Sequence, residues 1–221
     1  MSSPLYAVLD TEVAARAGWT LPDLAEAFVA GGARVLQLRA KTTADGELLE
    51  LATRIQAIAS SAGAVLVVND RADVARLSGA GGVHVGQDDL SPAAVRTIVG
   101  SDAVVGFSTH TPEQIDAAIR EPVTYIAIGP VFGTATKDTG YTAVGLEKVR
   151  YAAAALSRAA VSAGSPPRGL VAIGGITIDR AADVIRAGAS SVAVISDLLA
   201  TGDPRARVRE YLDRLAPVGR V

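Results

Sequence analysis

The stretch "GGVHVGQDDLSPAAVRTIVGSDAVVGFSTHTPEQIDAAIR" runs from Gly81 to Arg120. It reads as two strand–helix units in succession. In GVHVG (82–86), Val83 and Val85 alternate with His84 and Gly86, the two-residue period of a strand. AVVGFS (103–108) is a second short β-rich run. After the first, Ser91 stands at a helix N-cap with Pro92 at the first helical position. After the second, Thr111 offers the cap, Pro112 follows it, and Gln114 occupies the third helical position.

The same pattern extends in both directions. Upstream lie LYAVLD (5–10), RVLQLR (34–39) and AVLVVND (64–70). Downstream lie YIAIGP (125–130), GLVAIGG (169–175) and SVAVIS (191–196). Helical periodicity fills the gaps, as in GELLELATRIQAIASSAG (46–63), with only a short segment after the third strand. TIDRAADVIRAGA (177–189) carries Gly188 where a helix end favours a left-handed residue. DPRARVREYLDRL (203–215) supplies the last helix. Strands alternating with helices imply parallel pairing and right-handed crossovers. Eight such units predict an α/β fold, a closed (β/α)₈ TIM barrel in one domain over residues 1–221. A doubly wound open sheet is the alternative. LDTEVAARAG (9–18) after the first strand lacks the GxGxxG turn expected there.

Composition narrows the function. With 49% hydrophobic but 4% aromatic residues, the core must be built from Ala, Val, Leu and Ile. A net charge of -2 gives no reason to expect nucleic acid or an anionic membrane as partner. No cysteine means no disulfide, thiol nucleophile or Cys-based zinc site. The start, MSSPLYAVLD, has neither the basic nor the apolar segment of a secretory signal, so a cytoplasmic location is expected. YAAAALSRAA (151–160) suits the core or a subunit contact, which leaves a homo-oligomer open. Of 21 basic residues only Lys41, Lys137 and Lys148 are lysines, so a retained Lys marks a candidate site for a compact ammonium.

In barrels of this type the reactive residues gather at the C-terminal strand ends. Those ends are polar here. Gln37, Arg39 and Lys41 follow the second strand, and Asn69 and Asp70 the third. Gln87, Asp88 and Asp89 follow the fourth, Ser108 and His110 the fifth, and Thr134, Thr136 and Lys137 the sixth. Asp70 and Asp89 end neighbouring strands, so their carboxylates are expected to converge. Such a pair suits a hard cation such as Mg²⁺, completed by water and substrate phosphate. The competing reading is that Asp70 caps the short helix after it. Asp88 is expected to face solvent or an arginine. Arg39, Lys41 and Lys137 then read as phosphate-facing cations. Gly174 and Gly175, with Ser196 after the last strand, read as a second anion site of backbone N–H groups. The first site suits a diphosphate and the second a monophosphate.

Seven pieces carry a family resemblance. They are QLRAK (37–41), VND (68–70), HVGQDD (84–89), GFSTHT (106–111), GPVFGTATK (129–137), AIGGI (172–176) and VIS (194–196). In this order they resemble the thiamine-phosphate synthase family and cover nearly the whole chain. The resemblance implies a TIM barrel that joins 4-amino-2-methyl-5-hydroxymethylpyrimidine diphosphate to a thiazole phosphate or its carboxylated form. It implies Mg²⁺ on Asp70 and Asp89. It implies pyrimidine-diphosphate contacts from Gln37, Arg39, Lys41, Asn69, Ser108 and Lys137. Thiazole-phosphate contacts would come from Thr134, Thr136, Gly175, Ile195 and Ser196. Lys41, Lys137 and Ser108 are the expected catalytic groups. Arg71 stands where the family often has a second acid, and Asp88 where it often has Glu. A thiazole tautomerase-like isomerase of the same superfamily is the alternative. It would need neither the diphosphate site nor the metal.

Overall fold

The computed structural model of the chain describes residues 3–133, 142–164, 168–216 and 218. Eight parallel strands close into a barrel in sequence order, β8 pairing back onto β1 through Tyr6 and Ala193. The strands are β1 (Leu5–Asp10), β2 (Val35–Arg39), β3 (Val65–Asn69) and β4 (Gly82–Val85). They continue with β5 (Val104–Thr109), β6 (Tyr125–Ile128), β7 (Gly169–Ile173) and β8 (Ser191–Val194). All eight predicted strands are present, with ends shifted by a few residues at most.

Nine helices are described. They are α1 (Thr11–Arg16), α2 (Leu21–Gly31), α3 (Asp45–Ser61), α4 (Ala72–Ser78) and α5 (Pro92–Val99). α6 (Pro112–Ala118), α7 (Gly145–Ala163), α8 (Ile178–Arg186) and α9 (Pro204–Leu215) complete the set. The predicted caps hold. Ser91 Oγ accepts from the Ala94 N–H, and Thr111 Oγ1 from the Gln114 N–H, each at 3.3 Å. Gln114 reaches back one residue further than a capping box requires, accepting from the His110 N–H at 2.7 Å. That bond ties down the loop leaving β5. Two features were not read from the sequence. α1 is a short extra helix started by the Asp10 carboxylate, and a 3₁₀ turn (Ser196–Leu199) separates β8 from α9. Gly188 is left-handed at φ 107°, and a Cβ there would stand 2.5 Å from the Ala153 Cβ of α7. The turn after α8 therefore needs glycine both for its dihedral and for its close approach.

The period of two on each strand separates two apolar cores. Leu5, Ala7, Leu9, Leu36, Leu38, Leu66, Val68, Val83 and Val85 face outward and are buried under the helices. Tyr6, Val8, Val35, Val67, Tyr125, Ala127, Val171 and Ala193 face inward and fill the barrel. The inner core is not apolar throughout. Gln37 and His84 are buried in it, and both phenols belong to it. This polar band forms the floor of the site.

Candidate active site

Five inward side chains make one hydrogen-bonded series across the barrel. Gln37 Nε2 donates to Tyr6 Oη at 3.0 Å, and Tyr6 Oη lies 3.0 Å from Tyr125 Oη. Tyr125 Oη is 2.8 Å from His84 Nδ1, and His84 Nε2 is 2.8 Å from Ser108 Oγ. The two phenol rings meet edge to face at 77°, and Tyr125 stacks against the His84 ring with centroids 5.5 Å apart. Gly106 makes room for this arrangement. A Cβ at that position would fall 2.0 Å from Tyr125 Cζ. Burial, the dominant cause, pushes both phenols well above their ordinary values, so both stay neutral donors and acceptors.

Above this floor opens a cavity of about 500 Å³. Its walls include Gln37, Arg39, Asn69, Ser108, Gly175, Ile195 and Ser196, all predicted as site residues. Arg39 is held by an ion pair with the buried Asp10 carboxylate, which also accepts from the Val13 N–H at 3.0 Å. The Arg39 Nε is buried without a hydrogen-bond partner. A desolvated guanidinium N–H in a cavity wall is a place for an acceptor. Gln87 Nε2 donates to the Ser108 carbonyl at 2.6 Å and links the ends of β4 and β5. His110 Nδ1 lies 2.6 Å from the Gly129 carbonyl, which fixes its proton on that nitrogen.

The wall ends at Asn69, and the next residue, Asp70, begins the charged rim. Asp70 has φ 64°, the single left-handed non-glycine among the described residues. Such a backbone costs on the order of 1–3 kcal/mol and is retained where function over-determines it. The capping alternative for Asp70 fails, because Arg71 occupies the N-cap of α4 and no side chain caps that helix. Asp70 instead pairs with Lys41, Nζ to Oδ2 at 3.1 Å. Partial burial first, and then the Asp89 carboxylate, raise the Asp70 carboxyl above its ordinary value against the pull of Lys41. The two acids therefore do come together. Asp89 is exposed and steadied by the Gly86 N–H, which donates to Oδ2 at 2.7 Å. Asp88 is exposed. Arg71 is bonded to Asp45 at 2.5 Å and to Asp73 at 2.6 Å.

The opposite end is built from backbone. Gly174 and Gly175 have φ 102° and 61°. Cβ atoms there would stand 2.5 Å from Pro130 Cα and from the Gly133 carbonyl oxygen, respectively. Immediately beyond, α8 starts at Ile178 with Thr177 as N-cap and no side-chain cap bond. The first N–H groups of α8 and its positive dipole end are thus available to an anion. Arg180, whose guanidinium lies 4.9 Å from the Phe132 ring centroid, joins this wall.

The thiamine monophosphate synthase family model matches residues 5–198. A thiamine-phosphate synthase of Koribacter versatilis is 45% identical over 89% of this chain and 87% of its own. One from Methanoculleus marisnigri is 43% identical over 98% and 97%. Among solved structures, a thiamine phosphate pyrophosphorylase from Pyrococcus furiosus superposes with a TM-score of 0.84. It is 26% identical, over 98% of this chain and 97% of the other. The chain belongs to the thiamine monophosphate synthase family. Membership fits a cavity walled by Arg39 on one side and by the Gly174 and Gly175 backbone on another.

Within that family frame, sequence reasoning named part of the wall, with Gln37 and Ser108 at the two ends of the floor series, and missed the two tyrosines between them. Tyr6 and Tyr125 sit at ordinary alternating strand positions, 119 residues apart, and nothing local announces their contact. His84 points inward and bonds Ser108. Also unread was the support beneath the β8 end. Asp197 accepts from Arg207 Nη2 at 2.7 Å and from Tyr211 Oη at 2.6 Å, so α9 holds the 3₁₀ turn in place. The signal was present as Arg207 and Tyr211, one turn apart on a predicted helix. Thr134, Thr136 and Lys137 lie outside the described residues. No helix among the described residues is long and apolar enough to cross a membrane.

Proposed function

We propose that the chain condenses 4-amino-2-methyl-5-hydroxymethylpyrimidine diphosphate with thiazole phosphate, or its carboxylated form, releasing thiamine monophosphate and diphosphate. The observation that carries this reading is the cavity itself, in a member of this family. One side of its wall ends at Asn69, beside a rim of paired carboxylates with a lysine, and the other presents glycine backbone and an uncapped helix start. A single-phosphate isomerase needs only the second. Its substrate gives no reason to keep Asp70 on a left-handed backbone.

The acid pair is the proposed Mg²⁺ site, held by Asp70 and Asp89. The donor set fits a hard cation. The Asp89 carboxylate lies close enough to help raise the Asp70 carboxyl, and both acids offer hard oxygen donors. Asp70 and Asp89 would hold the ion, and Mg²⁺ typically takes one or two carboxylates with water and phosphate oxygens. When bound, such a cation neutralises charge on the diphosphate. Lys41, and Lys137 by family resemblance, would add their ammonium groups to the same oxygens. Arg39 offers its unpaired Nε within the wall, and Gln37, Asn69 and Ser108, which line the same cavity, would orient the pyrimidine. The reacting carbon is benzylic in type and attached to an electron-rich aminopyrimidine, so ionisation can precede attack by the thiazole nitrogen. The protein's task is then to stabilise the leaving charge and align the two rings. Gly175, Ile195 and Ser196, with Thr134 and Thr136 by resemblance, would anchor the thiazole phosphate.

The test mixes both phosphorylated substrates with the protein and Mg²⁺ and follows thiamine monophosphate. Product that requires Mg²⁺ is expected. Its absence beside an active control enzyme would sink the reading.

A further inference from the structure

Proton counting gives the hydrogen-bonded series inside the barrel a direction. Each phenol owns one proton. Gln37 Nε2 donates to Tyr6 Oη, so Tyr6 spends its own proton on Tyr125. Tyr125, having accepted, donates to His84 Nδ1. A neutral imidazole that accepts at Nδ1 carries its proton at Nε2, and Nε2 faces Ser108 Oγ at 2.8 Å. Ser108 therefore accepts, and its hydroxyl proton remains for the cavity it lines. In the reverse sense Ser108 would donate to His84, and would offer the cavity lone pairs alone.

We propose that Ser108 is held as a hydrogen-bond donor to a lone-pair atom of the pyrimidine diphosphate by this one-way chain. Gln37, Tyr6, Tyr125 and His84 act as its positioning residues. The identity of the acceptor rests on the proposed function; the direction of the chain does not. Three features show that the chain is built in. Tyr6 and Tyr125 are 1% and 0% exposed, so no water takes up a misdirected proton. Each phenol meets its neighbours at 2.8–3.0 Å. Gly106 leaves the space that Tyr125 and His84 occupy, where a Cβ would stand 2.5 Å from His84 Nδ1.

Nitrogen-15 NMR of histidine-labelled protein at neutral pH reads the direction without turnover. His84 signals are assigned by their loss in His84→Asn. The expected spectrum shows an acceptor-type Nδ1 and a protonated Nε2. A protonated Nδ1, in the other tautomer or in the imidazolium, would overturn the proposal. Tyr125→Phe supplies the functional arm. It should move His84 toward the Nδ1–H tautomer and lower kcat about tenfold, the worth of one neutral hydrogen bond. KM for the pyrimidine diphosphate should stay within about twofold, well inside that same margin. An unchanged tautomer with unchanged kcat would equally overturn it. Should that variant misfold, the wild-type spectrum decides alone. Failure of the wild type to form thiamine monophosphate would count against the proposed function and leave the direction read from the spectrum standing.

Discussion

On the rim beyond the β3 wall of the cavity the polar groups are side chains, Lys41, Asp70 and Asp89. At the β7–β8 end they are backbone, supplied by Gly174, Gly175 and the start of α8. The first end carries full charges that can be rearranged, on a backbone strained at Asp70. The second carries fixed dipoles that need no rotamer and no counter-ion. On the proposed reading this division follows the chemistry. A departing diphosphate gains charge during the reaction and needs groups that respond to it. A monophosphate that only anchors its ring needs a static cradle.

The largest expected effect tests the responsive end. Asp89→Ala and Lys41→Ala should each lower kcat/KM about 10²–10³-fold, the usual cost of one electrostatic group at a reacting centre. Neither residue lies in the core, so thermal unfolding should barely move. Steady-state rates across a Mg²⁺ titration read the effect. Near-wild-type turnover at limiting Mg²⁺ would remove that residue from the mechanism and erase the contrast between the ends.

The static end should break differently. Gly175→Ala places a methyl 2.5 Å from the Gly133 carbonyl oxygen on a backbone at φ 61°. About 1–3 kcal/mol of strain follows, and the cradle must shift to relieve it. KM for the thiazole phosphate is expected to rise about tenfold while kcat at saturation changes little, as when uniform binding is lost. A fall in kcat with unchanged KM would show that this end, too, responds during the reaction.

A third variant separates strain from charge. Asp70→Gly keeps the left-handed turn without its penalty and should stabilise the fold by about 1 kcal/mol while activity collapses. The increment should depend on pH. Burial and Asp89 hold the folded Asp70 carboxyl above its ordinary value. Its contribution to stability is therefore present at low pH and lost as pH rises through that folded value. The advantage of glycine is thus widest at neutral pH and narrows in acid. Urea unfolding at several pH values checks both the sign and the slope.

These variants also mark what was legible in the sequence. The barrel could be read because alternation, caps such as Ser91 and Thr111, and strand order are local or sequential properties. The rim could be read because Asp70 and Asp89 end adjacent strands. The strain at Asp70 could not, since an Asp before a short helix looks the same whether it caps that helix or turns left-handed ahead of it. Nor could the Gln37–Tyr6–Tyr125–His84 series. Each member obeys the strand period, and their meeting depends on the barrel closing between strands distant in sequence.

The smallest expected effect concerns the neighbour of Asp89. Asp88 and Asp89 are adjacent, alike and both exposed. Side chains of consecutive residues diverge, and only Asp89 is turned toward Gly86 and Asp70. Asp88→Asn removes one charge from the rim without touching that geometry. At physiological salt an exposed charge is screened over about 8 Å, so Asp70 and Lys41 should scarcely register the loss. Stability should stay within about 0.5 kcal/mol of wild type. The Mg²⁺ concentration for half-maximal rate should shift less than about twofold, the response of a spectator charge rather than a ligand. A shift as large as that of Asp89→Asn, measured in the same titration, would mean that the two acids share the cation. The responsive end of the cavity would then hold three carboxylates instead of two.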